Sequence, residues 1–526
     1  NNKKNKKSKK KRRNNNKKKK NKEKKAQESK AEQDEEENEV VKPIKADLGA
    51  NYMHKCWAGD DQPVFVLAQK HKIRVGLAAG GRFANTECAQ WYDHRTGSKM
   101  DPLLIARCHV RSTKHHARMS KLALQTAGDA DISIKQLLDQ AVDYVSKRMR
   151  HKMTGLEKLI HNKITSRQWG YVSRLEDTGV ALIRGEKTGL EGYEDMDEIG
   201  SSQHVRVVAS RMVAQIRENE QPEIHICTKE KGGGQDRLVV DGYHGFLIDH
   251  LLSSLSPDSK KQQQQQPTNQ ILLNKSVSKV VIHDPKTDTN VSIKDSAYWG
   301  NGLDKKRNQN RKRSISVYCR DGSEYKCQYL ICTVPLGVLK GRSEHSSICW
   351  VPCLSSMKRE CIRALGMGTH NKVVMRFSES NVFWPPHTPQ LLCPDPRFHF
   401  LNLHAYGKTG MMLCHVWPPY ADSWVKLSDK QVTDQAVGVL KGMFQDKYAQ
   451  KGNPKPLESV VTRWNTDPFS MGSYTYLKPG STWDHIQILN LPHPQTGEPR
   501  VFFAGEGLSV KGFQCVDGAY ESGVRA

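Results

Sequence analysis

The chain has 526 residues, 37% hydrophobic and 26% charged, with a formal net charge of +26 from 82 basic and 56 acidic residues. That length suffices for about three domains without a disulfide or metal staple, and no apolar run reaches the roughly 18–20 residues of a membrane span. The opening segment lacks the apolar stretch of a secretory signal. The thirteen cysteines are odd in number and form no CxxC pairs. Cys349 and Cys353 are four apart, but no second pair or histidine cluster completes a zinc site. Reduced thiols in a cytoplasmic or nuclear setting are expected.

The charge is concentrated at the start, where residues 1–25 hold 16 Lys or Arg and one acid. An acidic stretch from Glu32 to Glu39 follows. Residues 1–46 have too little apolar content to offset their ordering entropy, so a disordered tail is expected there. Two readings of its lysines stand open: an arm for nucleic acid or another anionic partner, or a nuclear import signal, and a solvated tail with no specific partner.

Folded sequence is expected from Asp47 onward. Residues 134–145 place Ile134, Leu137, Leu138, Ala141, Val142 and Val145 on one helical face, with Ser133 as N-cap. A second helix is read through Trp169, Tyr171, Val172 and Leu175. Residues 196–235 carry no clear period and end in Gly232-Gly233-Gly234. A short strand at Leu238 to Val240 and a helix at Phe246 to Leu252 follow, then a Gln-rich loop from Ser256 to Gln270. Strands are predicted at 277–282 and 315–319, around a basic loop from Lys305 to Arg313. Tyr329 to Val334 reads as a continuous apolar strand buried on both faces, ended by Pro335 and Gly337. Val373 to Phe377 is another strand. Val501 to Ala504 is a buried strand running into Gly505, with a helix from about Val516. This mixture predicts an α/β or α+β enzyme rather than a repeat protein.

The last segment carries the clearest chemistry. A buried strand delivers the Glu506 carboxylate near its C-terminal tip, where α/β sheets bind ligands. A short loop then leads to a helix start at Cys515 and Val516, which offers N–H groups and partial positive charge to an electron-rich ligand. Gly518 and Ser522, like Ala519 and Gly523, are four apart. These small faces allow close approach of another backbone or a flat ligand.

This segment resembles the C-terminal signature of the flavin-containing amine oxidase superfamily, which includes polyamine oxidases, monoamine oxidases and lysine-specific histone demethylases. Further stretches match in order: Asp47 to His54 with Pro63 and Leu67-Ala68, Val239 to Tyr243, Cys332 to Lys340, Gly366 to Val374 with Phe383-Trp384, and Asp467-Pro468 with Gly472 to Tyr476. The resemblance covers about 47–526, with insertions. It implies a two-domain flavin amine oxidase fold. A Rossmann-like FAD-binding domain (47–80, 236–365 and 485–526) would be interleaved with a substrate domain of mixed sheet and helices (81–235 and 366–484).

The resemblance also implies roles. Glu506 would lie along the ribityl–pyrophosphate part of FAD, and backbone groups of Cys515 and Val516 would meet the flavin ring edge. Asn51 and Tyr52 match flavin-contacting positions, and Val277 matches a contact to the adenosine half. Lys372 matches the lysine that holds a water beside flavin N5. Tyr474 matches a wall of the aromatic cage for the substrate amine, and His54 recurs near the substrate in polyamine oxidases; read alone, it is equally a core or surface histidine. Ser473 stands where monoamine oxidases carry the cysteine bonded to FAD, so the cofactor would be non-covalent. No pair of long heptad segments between 100 and 235 suggests the helical tower of the histone demethylases. The implied activity is oxidation of an amine or polyamine with hydrogen peroxide as by-product. A histone demethylase-like flavoprotein is the enzymatic alternative. A non-catalytic flavoprotein with a nucleic-acid-binding tail is the other, because the family's Gly-rich pyrophosphate motif does not stand before Asp47. Either that segment belongs to a longer protein, or the motif is lost.

Overall fold

The computed structural model describes residues 45–54, 62–77, 89–126, 131–149, 151–170, 173–183, 206, 208–210, 224–226, 236–243, 271–283, 314–341, 347–494 and 498–526. The expected tail, the helix at Phe246 to Leu252, the Gln-rich and basic loops, and the run Gly232 to Gly234 lie outside these residues. Helices and sheets are mixed throughout, as expected for α/β or α+β architecture.

A six-stranded sheet forms the centre of the later half. Its order is Glu458–Val461, Asn371–Arg376, Met411–Val416, His399–Asn402, Gln390–Leu392 and Gln90–Trp91. All its pairings are antiparallel except the last, where Gln90–Trp91 runs parallel to Gln390–Leu392. Alternation along these strands sorts the side chains by face. Val373, Met375, Met412, Cys414 and Phe400 enter a core that also holds Val432, Ala436, Leu440 and Met443 of helix Asp429–Met443. Lys372, His415 and His399 are cross-strand partners and therefore share the opposite face. Ser428 begins that helix with a capping box to Gln431.

A second core joins the C-terminal strand to several short elements. Val501–Phe503 pairs in parallel with Leu330–Cys332, and Val501, Phe503, Cys332, Leu365, Leu477, Ile486 and Leu489 pack together. Val277–His283 pairs with Ser314–Cys319 and Cys349–Val351. A third sheet near the start joins Tyr52–Met53, Arg237–Val239, Arg74–Leu77 and Ile224–Ile226.

Two sequence expectations are corrected, and one long helix is added. The run Tyr329 to Val334 is strand only at Leu330–Cys332, and it is not buried on both faces. Tyr329 is 54% and Ile331 50% exposed, while Cys332 is buried. Apolar continuity cannot distinguish full burial from a strand that covers one face and leaves the other open. The helix read through Trp169 to Leu175 instead spans Gly155–Trp169. A capping box between Thr154 and Glu157 starts it and Gly170 caps its end. Helix Pro102–Gln125, 24 residues long, had no counterpart in the sequence reading. Its buried set includes His109, Arg111, Lys114, His115 and His116, which hide the apolar stripe of Ile105, Ala106, Val110, Met119 and Ala123. Helix Ile134–Arg148, with its Ser133–Gln136 capping box, matches expectation. No helix among the described residues is long and apolar enough to cross a membrane.

Candidate functional site

Lys372 sits second in strand Asn371–Arg376, its backbone held by Thr462, whose Oγ1 accepts from the Lys372 N–H at 2.8 Å. The side chain is 4% exposed. Its Nζ donates to the Gly49 carbonyl and to Asn51 Oδ1. Asn51 is itself buried and donates through Nδ2 to the Asp47 carbonyl at 3.1 Å. Asp47 also binds the Tyr243 N–H at 3.0 Å, and the Tyr243 hydroxyl donates to the Tyr52 carbonyl at 2.8 Å. Hydrogen bonds therefore join the matched segment 47–54 to Lys372 on one side and to 239–243 on the other. Burial lowers the Lys372 ammonium to about 7, with Asp47 pulling the other way. A lysine with that value exchanges a proton at neutral pH.

Tyr474 lies two residues past Gly472, whose φ of +141° suits only glycine. Its carbonyl accepts from Gly368 N at 2.7 Å, which ties it to the loop before Lys372. Burial raises its phenol, and Cys515, Glu506 and Tyr52 act on it in the same direction. Those three residues thus lie near the phenol.

Glu506 follows strand Val501–Phe503 in the turn after Gly505. One carboxylate oxygen accepts from the Thr475 amide at 3.0 Å and hydroxyl at 2.6 Å. The other oxygen is buried and finds no partner among the described residues. Burial raises its pKa, opposed by the Thr475 bonds and the Gln514 amide. An unsatisfied buried carboxylate oxygen costs on the order of 1–3 kcal/mol, and a hydroxylated ligand chain would satisfy it. Gly505, at φ +147°, has no atom within 4 Å of the place its Cβ would take. The turn therefore leaves open space beside Glu506, as a cradle for a ligand requires.

Helix Val516–Arg525 begins at the N-cap Cys515. The Cys515 amide donates to Gly512 at 3.0 Å, so it is committed within the loop, and its carbonyl receives Ala519 at 3.1 Å. The small face read from Gly518 serves backbone approach: a Cβ there would fall 2.0 Å from the Gly512 carbonyl oxygen. Ser522 Oγ accepts from the Gly505 amide at 2.8 Å, locking the helix to the cradle turn.

The structure thus brings Lys372 and Asn51 together and places Tyr52, Glu506 and Cys515 near Tyr474, with Val516 opening the helix after Cys515. His54 pairs with Asp236 at 2.9 Å and is 41% exposed at its side chain. Its ring lies 6.2 Å from that of Tyr52. Val277 stands in another sheet, at a bulge opposite Cys319. Four further residues were missed from sequence. Thr475 positions Glu506. Gln514 takes φ +67° and donates to the Thr475 carbonyl at 2.8 Å. His370 and His415 share a hydrogen bond of 3.0 Å. Closeness in sequence could have signalled three of them: Thr475 follows Tyr474, Gln514 precedes Cys515, and His370 lies two residues before Lys372.

Among comparisons with known proteins, residues 303–526 match the family described as flavin containing amine oxidoreductase. A polyamine oxidase 4 of Oryza sativa subsp. japonica is 33% identical over 234 residues, 43% of this chain and 45% of the relative. A lysine-specific histone demethylase 1 homolog 3 of Oryza sativa subsp. indica is 32% identical over 218 residues, 40% of this chain and 26% of the relative. A possible lysine-specific histone demethylase 1 of Drosophila melanogaster is 24% identical over 457 residues, 77% of this chain and 49% of the relative. The chain thus spans about a quarter to a half of the length of these relatives. A putrescine oxidase variant redesigned for cofactor binding shares the fold, with a TM-score of 0.53 at 13% identity, covering 91% of this chain and 86% of that one. Residues 303–526 thus match the flavin-containing amine oxidoreductase family, and the cofactor that family implies is FAD.

Proposed function

We propose that the protein is a FAD-dependent amine oxidase most like a polyamine oxidase. The observation that carries this reading is the buried Lys372 amine, lowered to about 7 and set on Gly49 and Asn51, with the Tyr474 ring in the adjoining loop. The named polyamine oxidase among the relatives supports it. FAD, when bound, supplies the two-electron acceptor that turns a C–N bond of the amine into an imine, with O2 reduced to H2O2.

The chain's own residues orient and protect the reacting groups. The open Glu506 oxygen would accept from a ribityl hydroxyl. Val516 begins a helix whose positive end favours electron density at the ring edge. Tyr474 offers a ring face that attracts an ammonium and tolerates the neutral amine that reacts. Lys372, partly neutral near pH 7, would hold a water and take up or return a proton. Ser473 has no thiol, so FAD would be held non-covalently. The residues that would hold it lie in 47–80, 236–365 and 485–526, and those for the amine in 81–235 and 366–484.

A histone demethylase-like reading is favoured by one observation: the Drosophila relative with that name aligns over 77% of the chain. The test is to purify the full chain, add FAD, remove the excess and record flavin absorbance. Peroxide release with spermine and spermidine, against a methyl-lysine peptide, then separates the two substrates. A folded chain that retains no flavin would overturn both readings.

A further inference from the structure

We propose that Thr475 is a positioning residue of the cofactor site: its hydroxyl and its amide together hold one oxygen of Glu506, so that the other is left to the hydroxylated chain of the cofactor. The inference rests on the FAD reading of that site. Thr475 opens strand Thr475–Leu477, opposite Met367 of strand Leu365–Met367, and it is fully buried. A buried hydroxyl requires a partner. Here Oγ1 donates to Glu506 Oε1 at 2.6 Å, and the backbone N–H of the same residue donates to the same oxygen at 3.0 Å. Two donors from one residue fix where Oε1 sits. With Oε1 and the backbone both fixed, the carboxylate has little freedom to rotate, and Oε2 is held in one direction. That oxygen is buried and finds no partner among the described residues.

Thr475 is itself immobilised. Its β-branched side chain has few rotamers, and it lies against Gly507. A Cβ at Gly507 would fall 2.3 Å from Thr475 Oγ1, 2.9 Å from its Cβ and 3.1 Å from its Cγ2. Only the absence of a side chain at Gly507 lets the turn come so close to the strand. The Thr475 carbonyl accepts from Gln514 Nε2 at 2.8 Å, which ties the strand to the loop before helix Val516–Arg525. Those backbone ties hold the strand. The hydroxyl acts elsewhere: it has one proton to donate, and that proton goes to Glu506 in a short bond to an ionised acceptor. Burial pushes the Glu506 carboxyl up, and the Thr475 hydroxyl is the strongest of the bonds that oppose it. The hydroxyl thus favours the form of Glu506 that only accepts, which suits a ligand chain that offers O–H donors. Tyr474 precedes Thr475, so one residue joins the segment with the candidate amine ring to the turn with the candidate cofactor oxygen.

The test measures FAD affinity of the full chain by flavin fluorescence titration, apart from turnover. Thr475→Val removes the hydroxyl while keeping the shape and the backbone. It should bind FAD at least about tenfold more weakly, as expected for the loss of a hydrogen bond to a charged group. Thr475→Ser restores the donor and should stay within about threefold of wild type. In a Glu506→Ala background, Thr475→Val should alter FAD affinity by less than about twofold, because the hydroxyl acts through the carboxylate. A threonine that only supports the fold would weaken binding equally in both backgrounds, and that result overturns the proposal. So does a serine variant as weak as the valine variant, or a valine variant as tight as wild type. Thermal melts certify folding. If Thr475→Val unfolds, Thr475→Ala removes the same hydroxyl; if Glu506→Ala unfolds, the comparison of valine with serine decides. A folded wild-type chain that binds no FAD overturns both the clamp and the cofactor reading. Peroxide formation from spermidine with FAD affinity indifferent to the hydroxyl would sink the clamp and leave the oxidase. The expected affinities without peroxide would do the reverse.

Discussion

Lys372 shows how a buried amine costs stability. Folding moves its pKa down from the ordinary lysine value of 10.5 to about 7 because burial penalises the ammonium. Between those values the unfolded chain holds more protons than the folded one, so stability rises with pH across that window. The penalty is complete below about 7 and gone above about 10.5. Lys358, buried against the carbonyls of Leu489 and Leu491 and lowered to about 8, contributes in the same direction. The difference between wild type and Lys372→Met therefore isolates one residue. The variant should show a stability slope smaller by about one proton between pH 7 and 10, measured by urea denaturation at several pH values. If the two slopes coincide, the amine is not buried in its neutral form. The same variant should lower amine turnover by at least about a hundredfold if Lys372 moves a proton.

At the scale of elements, two helices make opposite demands. Helix Val516–Arg525 needs Gly518, because a side chain there collides with the Gly512 backbone. Gly518→Ala should destabilise the fold by about 1–3 kcal/mol and loosen the loop that carries Cys515. Denaturant midpoints would show the first effect and flavin retention the second. An unchanged midpoint would mean that the loop yields freely. Helix Pro102–Gln125 instead spends its polar residues inside. His115 Nδ1 lies 2.7 Å from His161 Nε2 on helix Gly155–Trp169. Burial lowers all three imidazoles of His115, His116 and His161, the last two to about 4. These groups stay neutral in the fold while the unfolded chain charges them. Their contribution is present above about pH 6.5 and is lost as pH falls toward 4. His161→Phe should reduce the steepness of acid unfolding by about one proton in that range, as measured by circular dichroism. An unchanged acid limb would refute the burial argument.

At the scale of the molecule, the site is assembled from distant chain segments. Lys372 lies on the six-stranded sheet, Asn51 and Tyr474 each stand just before a strand of another sheet, and Glu506 is in a turn, so a ligand that bridges them should couple their stability. FAD at about a hundredfold over its dissociation constant should stabilise the fold by about 2.7 kcal/mol, seen as a raised melting temperature. Glu506→Gln should shrink that shift, because one oxygen that only accepts becomes an amide that donates. A shift of equal size in the variant would remove Glu506 from the cofactor contacts.

What the local sequence determined was the set of strong, short-range patterns. The helix at 134–148, the strands at 277–283, 314–319, 371–376 and 501–503, and the helix from Val516 follow from apolar period, capping residues and glycines. The motifs around Asn51, Lys372, Tyr474 and Glu506 were legible because each lies in a contiguous run. Tertiary structure decided what depends on residues distant in the chain. Helix Pro102–Gln125 is recognisable only once its histidines and cations have buried partners. The exposure of Ile331 depends on which strand lies beside it. The burial that lowers Lys372 comes from a segment more than 300 residues away. Sheet register set His415 opposite Lys372, and register is a property of strands that have already met.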